Sequence, residues 1–548
     1  MKKISTRLHT AHLLMALTSV LLSCMASAQV NPYQYTINKM ANGSKGAVSS
    51  AHPLASQVGL EILKKGGNAF DAAIATQLAL AVVYPGAGNI GGGGFLVAYT
   101  NKGKAISIDY REKAPGSATR DMYLDKDGNP LLNLSQNGHL ASGVPGTVAG
   151  LFASHQYGKL GFVALIQPAI ELAEKGFAIT AAEARSLNGS KSAFEKYNTI
   201  RPAFVKKNAW KAGDTLVQKD LAATLSRIRD NGMKGFYEGE TAKLITEEMK
   251  RGGGKISLED LKNYTAAERD PIIFDYKGHT VIGMPMPSSG GLLMQQMMKM
   301  IEDRDIASMG FHSSAAVQLM IEVERRAYAD RAEFMGDKDF VKVPMKTLSS
   351  DIYLKERMKD FIPGKATPSD MVKPGKVNPE SDETTHLSVA DQYGNVVSVT
   401  TTLNGGYGSK TVVGGAGFLL NNEMDDFSAK AGSPNLYGLI GSKANEIQPN
   451  KRMLSSMTPT IVEENGQLKM VVGTPGGATI ITSVFQVVLN TLEMGMNMQQ
   501  AVEYPRFHHQ WMPEKITAEP KRFSDEQQMR LQSKGYTFAP VSAIGLVE

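Results

Sequence analysis

Two short runs, Thr385–Ala390 and Val396–Leu403, alternate in polar and apolar character, which is the period-two signature of strands. Between them, Asp391-Gln392-Tyr393-Gly394-Asn395 is rich in turn formers and carries a glycine to supply positive φ. The stretch therefore predicts a β-hairpin. A turn centred on Tyr393 sets Thr384 opposite Thr402, His386 opposite Thr400 and Ser388 opposite Ser398. The other face pairs Leu387 with Val399 and Val389 with Val397. Opposed side chains on such a ladder have Cβ atoms about 4.5–5.5 Å apart. One face thus collects hydroxyls and an imidazole. A solvent-facing Thr-rich strand is the plain alternative, and a bulge in the turn would slip the register.

Elsewhere the pattern is mixed. Gln29–Lys45 reads as an extended lead-in. Leu54–Lys65 has helical spacing and stops at Gly66-Gly67-Asn68. Asp71–Val83 is almost wholly apolar and predicts a buried helix ending at Tyr84-Pro85-Gly86. Strands are expected at Phe95–Tyr99 and Ala105–Tyr110, and mostly amphipathic helix from Val148 to Phe334. Strands dominate again from Thr384, with a helix near Thr482–Leu492. Lys365–Glu383, with three prolines and no apolar periodicity, predicts an exposed flexible loop running straight into Thr384. Such loops are where chains are cut.

The first residues add a targeting signal. Lys2, Lys3 and Arg7 precede an apolar run, Leu13–Leu22, and then Ala26-Ser27-Ala28. This is the pattern of a secretory signal peptide over residues 1–28, with a mature start at Gln29. The only cysteine, Cys24, lies inside it, so cleavage would leave no thiol. A lipobox-like reading of Leu21–Cys24, with Cys24 acylated, stays open. Removing the three basic residues lowers the formal charge from +6 to +3, too weak a bias to indicate nucleic acid. The chain is expected to be exported, periplasmic or secreted, with lipid anchoring as the minority alternative.

Several motifs dissolve on inspection. Gly86–Gly91 fits G-x-G-x-x-G, but it follows a helix and leads into a strand, the reverse of a dinucleotide site. Asn89–Gly94 instead reads as a stretch that lets backbones approach closely. His508 and His509 are adjacent, and neighbours on a strand point to opposite faces, so no metal is expected, nor any other cofactor. No G-x-S-x-G elbow occurs. Gly476-Gly477 stands between an apolar strand, Met470–Val472, and a helical run beginning near Ile480. Paired glycine amides at a helix entry suit an oxyanion. Ser455 and Ser456 offer two hydroxyls in one loop. For each of these a plain turn is the bland reading.

Taken together, the stretches "GGNAFDAAIATQLAL", "AGNIGGGGF", "DYREKAP", "LASGVPGTVAG", "ETTHLSV", "LLNNEMDDFSAK", "PNKRMLSSMTPT", "TPGGATIIT" and "PRFHHQW" resemble the γ-glutamyltranspeptidases, a family of N-terminal nucleophile hydrolases. The resemblance covers nearly all of the mature chain. It implies an α+β fold, a four-layer αββα sandwich of two largely antiparallel sheets. It also implies a precursor that cuts itself between Glu383 and Thr384. The products would be a large subunit, 29–383, and a small one, 384–548, held in one fold. Thr384 would be the nucleophile, Thr402 its hydrogen-bonded partner, and Gly476 and Gly477 the oxyanion donors. The substrate implied is a γ-glutamyl amide such as glutathione, with amino acids or peptides as acceptors. Arg111, Ser455 and Ser456 would bind its α-carboxylate, and Asn404, Glu423 and Asp426 its α-ammonium. Tyr437 would tip a lid loop.

The chain departs from the family pattern in two places. Ala478-Thr479 replaces a common Ser-Arg, and the sequence stops at Glu548, short of the usual closing segment. Bland readings of the binding residues are a surface salt bridge for Arg111 and a turn cap for Asp426. Alternatives on the same scaffold are a cephalosporin acylase, a depolymerase of γ-linked polyglutamate, and a non-processing homologue that only binds γ-glutamyl peptides.

Overall fold

The computed structural model describes residues 31–37, 39–372, 385–430 and 442–548. The leader with Cys24, the junction Glu383–Thr384 and the lid residue Tyr437 lie outside these.

The strands that matter are β1 (Gly46–Ser50), β2 (Gly93–Tyr99), β3 (Ala105–Asp109), β4 (Ala267–Arg269), β5 (Ile272–Tyr276), β6 (His279–Gly283), β7 (Thr385–Asp391), β8 (Val396–Thr402), β9 (Thr460–Glu464) and β10 (Gln467–Val472). The first sheet has the order β1-β7-β8-β2-β3-β4 and the second β10-β9-β6-β5. Every pair within them is antiparallel. Helices α1 (Pro53–Lys64) and α2 (Ala69–Val83) cover the first sheet. Helices α3 (Gly290–Ile301), α4 (Ser314–Phe334) and α5 (Ala478–Leu492) lie on the side of the second. The result is the four-layer αββα sandwich.

Local sequence explains the outer layer. Asn68 both follows the Gly66-Gly67 stop and caps α2. Its Oδ1 accepts from Asp71 N at 3.1 Å while Asp71 Oδ2 accepts from Asn68 N at 2.9 Å, a reciprocal box that satisfies two orphan donors. All of α2 is buried, as its unbroken apolar run requires.

The central hairpin has the expected register: Leu387 faces Val399, Val389 faces Val397, His386 faces Thr400 and Ser388 faces Ser398. Its apolar face joins the core under α1 and α2. Its polar face is not solvent-exposed. It turns toward the second sheet, where Ser398 Oγ donates to the Val472 carbonyl at 3.4 Å and Gly473 abuts the His386 ring. Burial inside the sandwich pushes the His386 imidazole down to about 3. It is therefore neutral, hydrogen-bonded to Thr400 Oγ1 at 2.9 Å and Ser388 Oγ at 3.1 Å. A buried polar face is tolerable because its groups satisfy one another.

The glycine run does what its spacing suggests. A Cβ on Gly92 would sit 2.0 Å from the Thr402 carbonyl oxygen, and one on Gly94 2.5 Å from that of Thr400. Two expectations change. Helix α5 begins at Ala478 rather than near Ile480 or Thr482, because Gly477, at φ 50°, serves as its N-cap without a side-chain cap. The first residues of the expected free loop are also pinned: Trp511 Nε1 donates to the carbonyls of Ser369 at 2.8 Å and Val372 at 3.1 Å.

Candidate active site

Strand β3 ends at Asp109, and two residues later Arg111 is almost wholly inaccessible, with 1% of its surface exposed. That rules out a surface salt bridge. Its guanidinium Nη1 lies 2.8 Å from Glu423 Oε2, and its Nη2 pairs with Asp426 Oδ2. Nε and Nη2 also donate to the carbonyls of Met453 and Leu454 at 3.4 and 3.2 Å. Leu454 immediately precedes Ser455 and Ser456. Asp426 ends a short 3₁₀ turn, Glu423–Asp426, but its carboxylate points at Arg111, so it is more than a turn cap.

The serine loop is held from the other side. Ser455 N donates to the Pro287 carbonyl at 2.8 Å. The Ser455 carbonyl in turn accepts from Ser289 N at 2.7 Å and Ser289 Oγ at 2.8 Å. Arg331 on α4 anchors Ser289 Oγ at 2.8 Å. Ser456 Oγ is buried and has no hydrogen-bond partner among the described residues, which leaves it available to a ligand.

A chain of contacts connects this cluster to the hairpin. Thr402 Oγ1 accepts from Asn404 N at 2.7 Å, and Asn404 Nδ2 donates to the Asn422 carbonyl at 3.0 Å. Asn422 is bonded to Glu423 in sequence. Asn404 sits at φ 72°, a left-handed turn that Asn tolerates better than most residues. It redirects the chain just after β8.

Gly476 and Gly477 belong to a different segment from the arginine cluster. They lie three and four residues beyond Gly473, which abuts His386, and they open α5. Gly476 is at φ 133° and Gly477 at φ 50°. Thr479, one of the two departures from the family pattern, fixes this turn: its N and Oγ1 donate to the Gly476 carbonyl at 3.0 and 2.6 Å. The positive end of the α5 dipole lies at these residues, and it favours negative charge.

Sequence reasoning missed three residues. Glu112 is fully buried, its Oε2 3.7 Å from Arg111 Nη1, and neither carboxylate oxygen has a hydrogen-bond partner among the described residues. Burial, opposed by Arg111 and reinforced by Asp426 and Asp109, raises its carboxyl to about 8. Burial also pushes the Glu423 carboxyl well up, against the pull of Arg111 and with the repulsion of Glu112 and Asp426. Three carboxyls thus surround one guanidinium, and proton uptake relieves the excess charge. Asn421 is the second: its Oδ1 accepts from Glu423 N at 3.1 Å and Gly143 N at 2.9 Å, which holds the acidic turn in place. Asp109 is the third, with Oδ1 2.9 Å from Arg111 N. The only sequence cue was an acidic residue on either side of Tyr110-Arg111.

Chemically, the cluster offers a planar cation, ion-paired to Glu423 and Asp426, beside a carbonyl-braced hydroxyl loop, with Asn404 tied to Asn422 next to Glu423. The family model described as Gamma-glutamyltranspeptidase matches residues 55–548. A glutathione hydrolase proenzyme of Escherichia coli (strain K12) is 46% identical over 531 residues, spanning 95% of this chain and 91% of its own. The Helicobacter pylori γ-glutamyltranspeptidase structure is 45% identical with a TM-score of 0.60, covering 61% of this chain and 97% of its own. A cephalosporin acylase from Bacillus halodurans superposes with a TM-score of 0.81 at 28% identity, over 94% of both chains.

Proposed function

The chain belongs to the γ-glutamyltranspeptidase family, and we propose that it cleaves γ-glutamyl amides such as glutathione through an acyl-enzyme on Thr384. The family membership makes it an enzyme of hydrolase and transferase chemistry on γ-glutamyl compounds. The residue roles that follow are our reading, and the arrangement around Arg111 carries it.

Self-cleavage between Glu383 and Thr384 releases an α-amino group on the residue that bears the hydroxyl. Such an amine has a pKa of about 7.7–8.0, near working pH, so one residue supplies nucleophile and base. The hairpin register, continued one step beyond Thr385 and Thr401, supports placing Thr402 opposite the nucleophile as its hydrogen-bond partner. Attack on the γ-carbonyl forms a C–O bond and a tetrahedral oxyanion, stabilised by the Gly476 and Gly477 amides. The amine returns its proton to the leaving nitrogen as the C–N bond breaks. Water then yields glutamate, or an amino acid or peptide amine yields a new γ-glutamyl amide. Both polypeptides of the cut chain remain in one fold.

The donor binds by exchange of charge partners. Arg111 is held between Glu423 and Asp426 before a donor arrives. The donor's α-carboxylate takes the guanidinium fork, which grips planar anions through parallel bonds, together with Ser455 and the Ser456 hydroxyl, which has no partner among the described residues. Its ammonium takes Asn404, Glu423 and Asp426. We assign Tyr437 to the lid loop that the family resemblance implies, and lids exclude water. The leader sequence supports export. No described helix is long and apolar enough to cross a membrane.

The acylase reading has the 28%-identical structural neighbour in its favour. The acceptors for an α-ammonium, useless to a glutaryl group, weigh against it. Turnover of L-γ-glutamyl and glutaryl p-nitroanilides by the purified enzyme separates the two. The γ-glutamyl anilide is expected to react faster, and faster glutaryl release would reject the reading.

A further inference from the structure

We propose that Asp109 is the positioning residue of the donor site, a single buried carboxylate that sets Arg111 and the Ser455–Ser456 loop in place together. This rests on the assignment of Arg111, Ser455 and Ser456 to the donor's α-carboxylate. Asp109 is completely inaccessible at the end of β3. Its Oδ1 accepts the Arg111 backbone N–H at 2.9 Å and lies 3.3 Å from Arg452 Nε. Its Oδ2 accepts from Arg269 Nε at 2.7 Å.

Arg452 is three residues before Ser455, and it is itself fixed at several points. Its backbone N donates to Asp337 Oδ2 at 2.9 Å, its Nη2 to the Thr265 carbonyl at 2.9 Å, and its guanidinium lies 5.9 Å from the Tyr264 ring centre. Tyr264 closes the circuit: its hydroxyl donates to the Arg111 carbonyl at 2.7 Å. Arg111 is therefore held at its N–H by Asp109, at its carbonyl by Tyr264, and at its guanidinium by the Met453 and Leu454 carbonyls. The segment bearing those carbonyls is held by Arg452 to the same Asp109. Arg269 completes the charge balance, its two terminal nitrogens reaching the Asp339 carboxylate at 3.1 and 2.7 Å.

Asp109 is completely inaccessible and so lies behind the binding surface. Its effect on the reaction passes through the two elements that grip the α-carboxylate. Asp109→Asn keeps an acceptor for Arg111 N–H but removes the charge that holds Arg452 and Arg269.

The test compares three anilides on purified, full-chain enzyme: γ-glutamyl, glutaryl (which lacks the α-ammonium) and 4-aminobutyryl (which lacks the α-carboxylate). In Asp109→Asn, kcat/KM is expected to fall about 10- to 100-fold for the first two donors, mainly through KM, since small displacements of positioning groups cost that much. For the 4-aminobutyryl donor it stays within about 3-fold. Arg452→Lys gives the same selective pattern, and it carries the test if Asp109→Asn does not fold. Arg111→Lys is the reference. An equal fall for all three donors would show a merely structural role and overturn the proposal. So would unchanged kinetics in Asp109→Asn alongside a selective loss in Arg111→Lys. If Arg111→Lys itself shows no selectivity for the α-carboxylate, the donor-site assignment fails first, and the proposal with it.

Discussion

Arg111 Nη2 donates to the Leu454 carbonyl at 3.2 Å, across 343 positions of sequence. Through this contact a residue just past the third strand of one sheet and a loop leading into the other sheet form one binding surface.

Removing that guanidinium takes away the one cation that the buried Glu112, Glu423 and Asp426 carboxyls share. Arg111→Ala is expected to destabilise the fold by about 3–5 kcal/mol, the usual consequence of stripping one partner from a buried ion pair. Arg111→Lys keeps the charge but loses the fork, so it should cost less stability than the alanine and show its damage in donor KM. Thermal unfolding beside steady-state kinetics separates these effects. Equal stability losses in the two variants would contradict the charge-balance account.

Glu112 gives a prediction with a definite sign. Its folded-state carboxyl is raised to about 8 from an ordinary value near 4.5. The contribution it makes is therefore fully present below pH 4.5 and is lost as pH rises through 8. Glu112→Gln removes the titration while keeping the shape. The variant's melting temperature should rise relative to the parent between pH 5 and pH 8. A gap between the two curves that stays constant with pH would show that Glu112 is ionised throughout.

His386 moves the other way. Its imidazole is held down at about 3 from 6.5 by burial, so the unfolded chain binds a proton that the folded chain refuses. Stability is lost as pH falls from 6.5 toward 3, at up to about 1.4 kcal/mol per pH unit for this one group. His386→Gln should be destabilised at pH 7.5, and its deficit should shrink on acidification. Unfolding curves at pH 7.5 and 5.0 measure this. A deficit that grows at low pH would mean the buried ring is charged.

Gly92→Ala tests the close approach of the residue just before β2 to the end of β8. The added methyl would meet the Thr402 carbonyl oxygen at 2.0 Å, a contact that the backbone relieves only by shifting. Overpacking of this kind typically costs about 1–3 kcal/mol. Activity should fall further than stability does, since Thr402 is displaced. Parental kcat in a folded Gly92→Ala protein would contradict the placement.

Much of this was legible in the sequence because it is local. Alternation and a five-residue turn suffice to set the hairpin register, and six residues of glycine-rich chain announce the crowded contact at Gly92 and Gly94. The start of α5 was not legible: Gly477 caps the helix with backbone geometry alone, and no Ser, Thr, Asp or Asn marks the position. Glu112 and Asp109 were not legible either. Their importance lies in the ion pair of Asp109 with Arg452 and the charge repulsion between Glu112 and Asp426, each spanning more than 300 residues, and in a burial that the flanking residues do not signal. The polar face of the hairpin was ambiguous for the same reason. Only the second sheet, brought in by β9 and β10, turns it into an interior.

The central claim is that the working nucleophile is a terminus made by the chain itself. A denaturing gel of purified protein, with N-terminal sequencing of the smaller band, tests it most directly. The account predicts two bands, the smaller beginning Thr-Thr-His, and a single inactive band in Thr384→Ala. Full activity from one uncut polypeptide, or from Thr384→Ala, would contradict it.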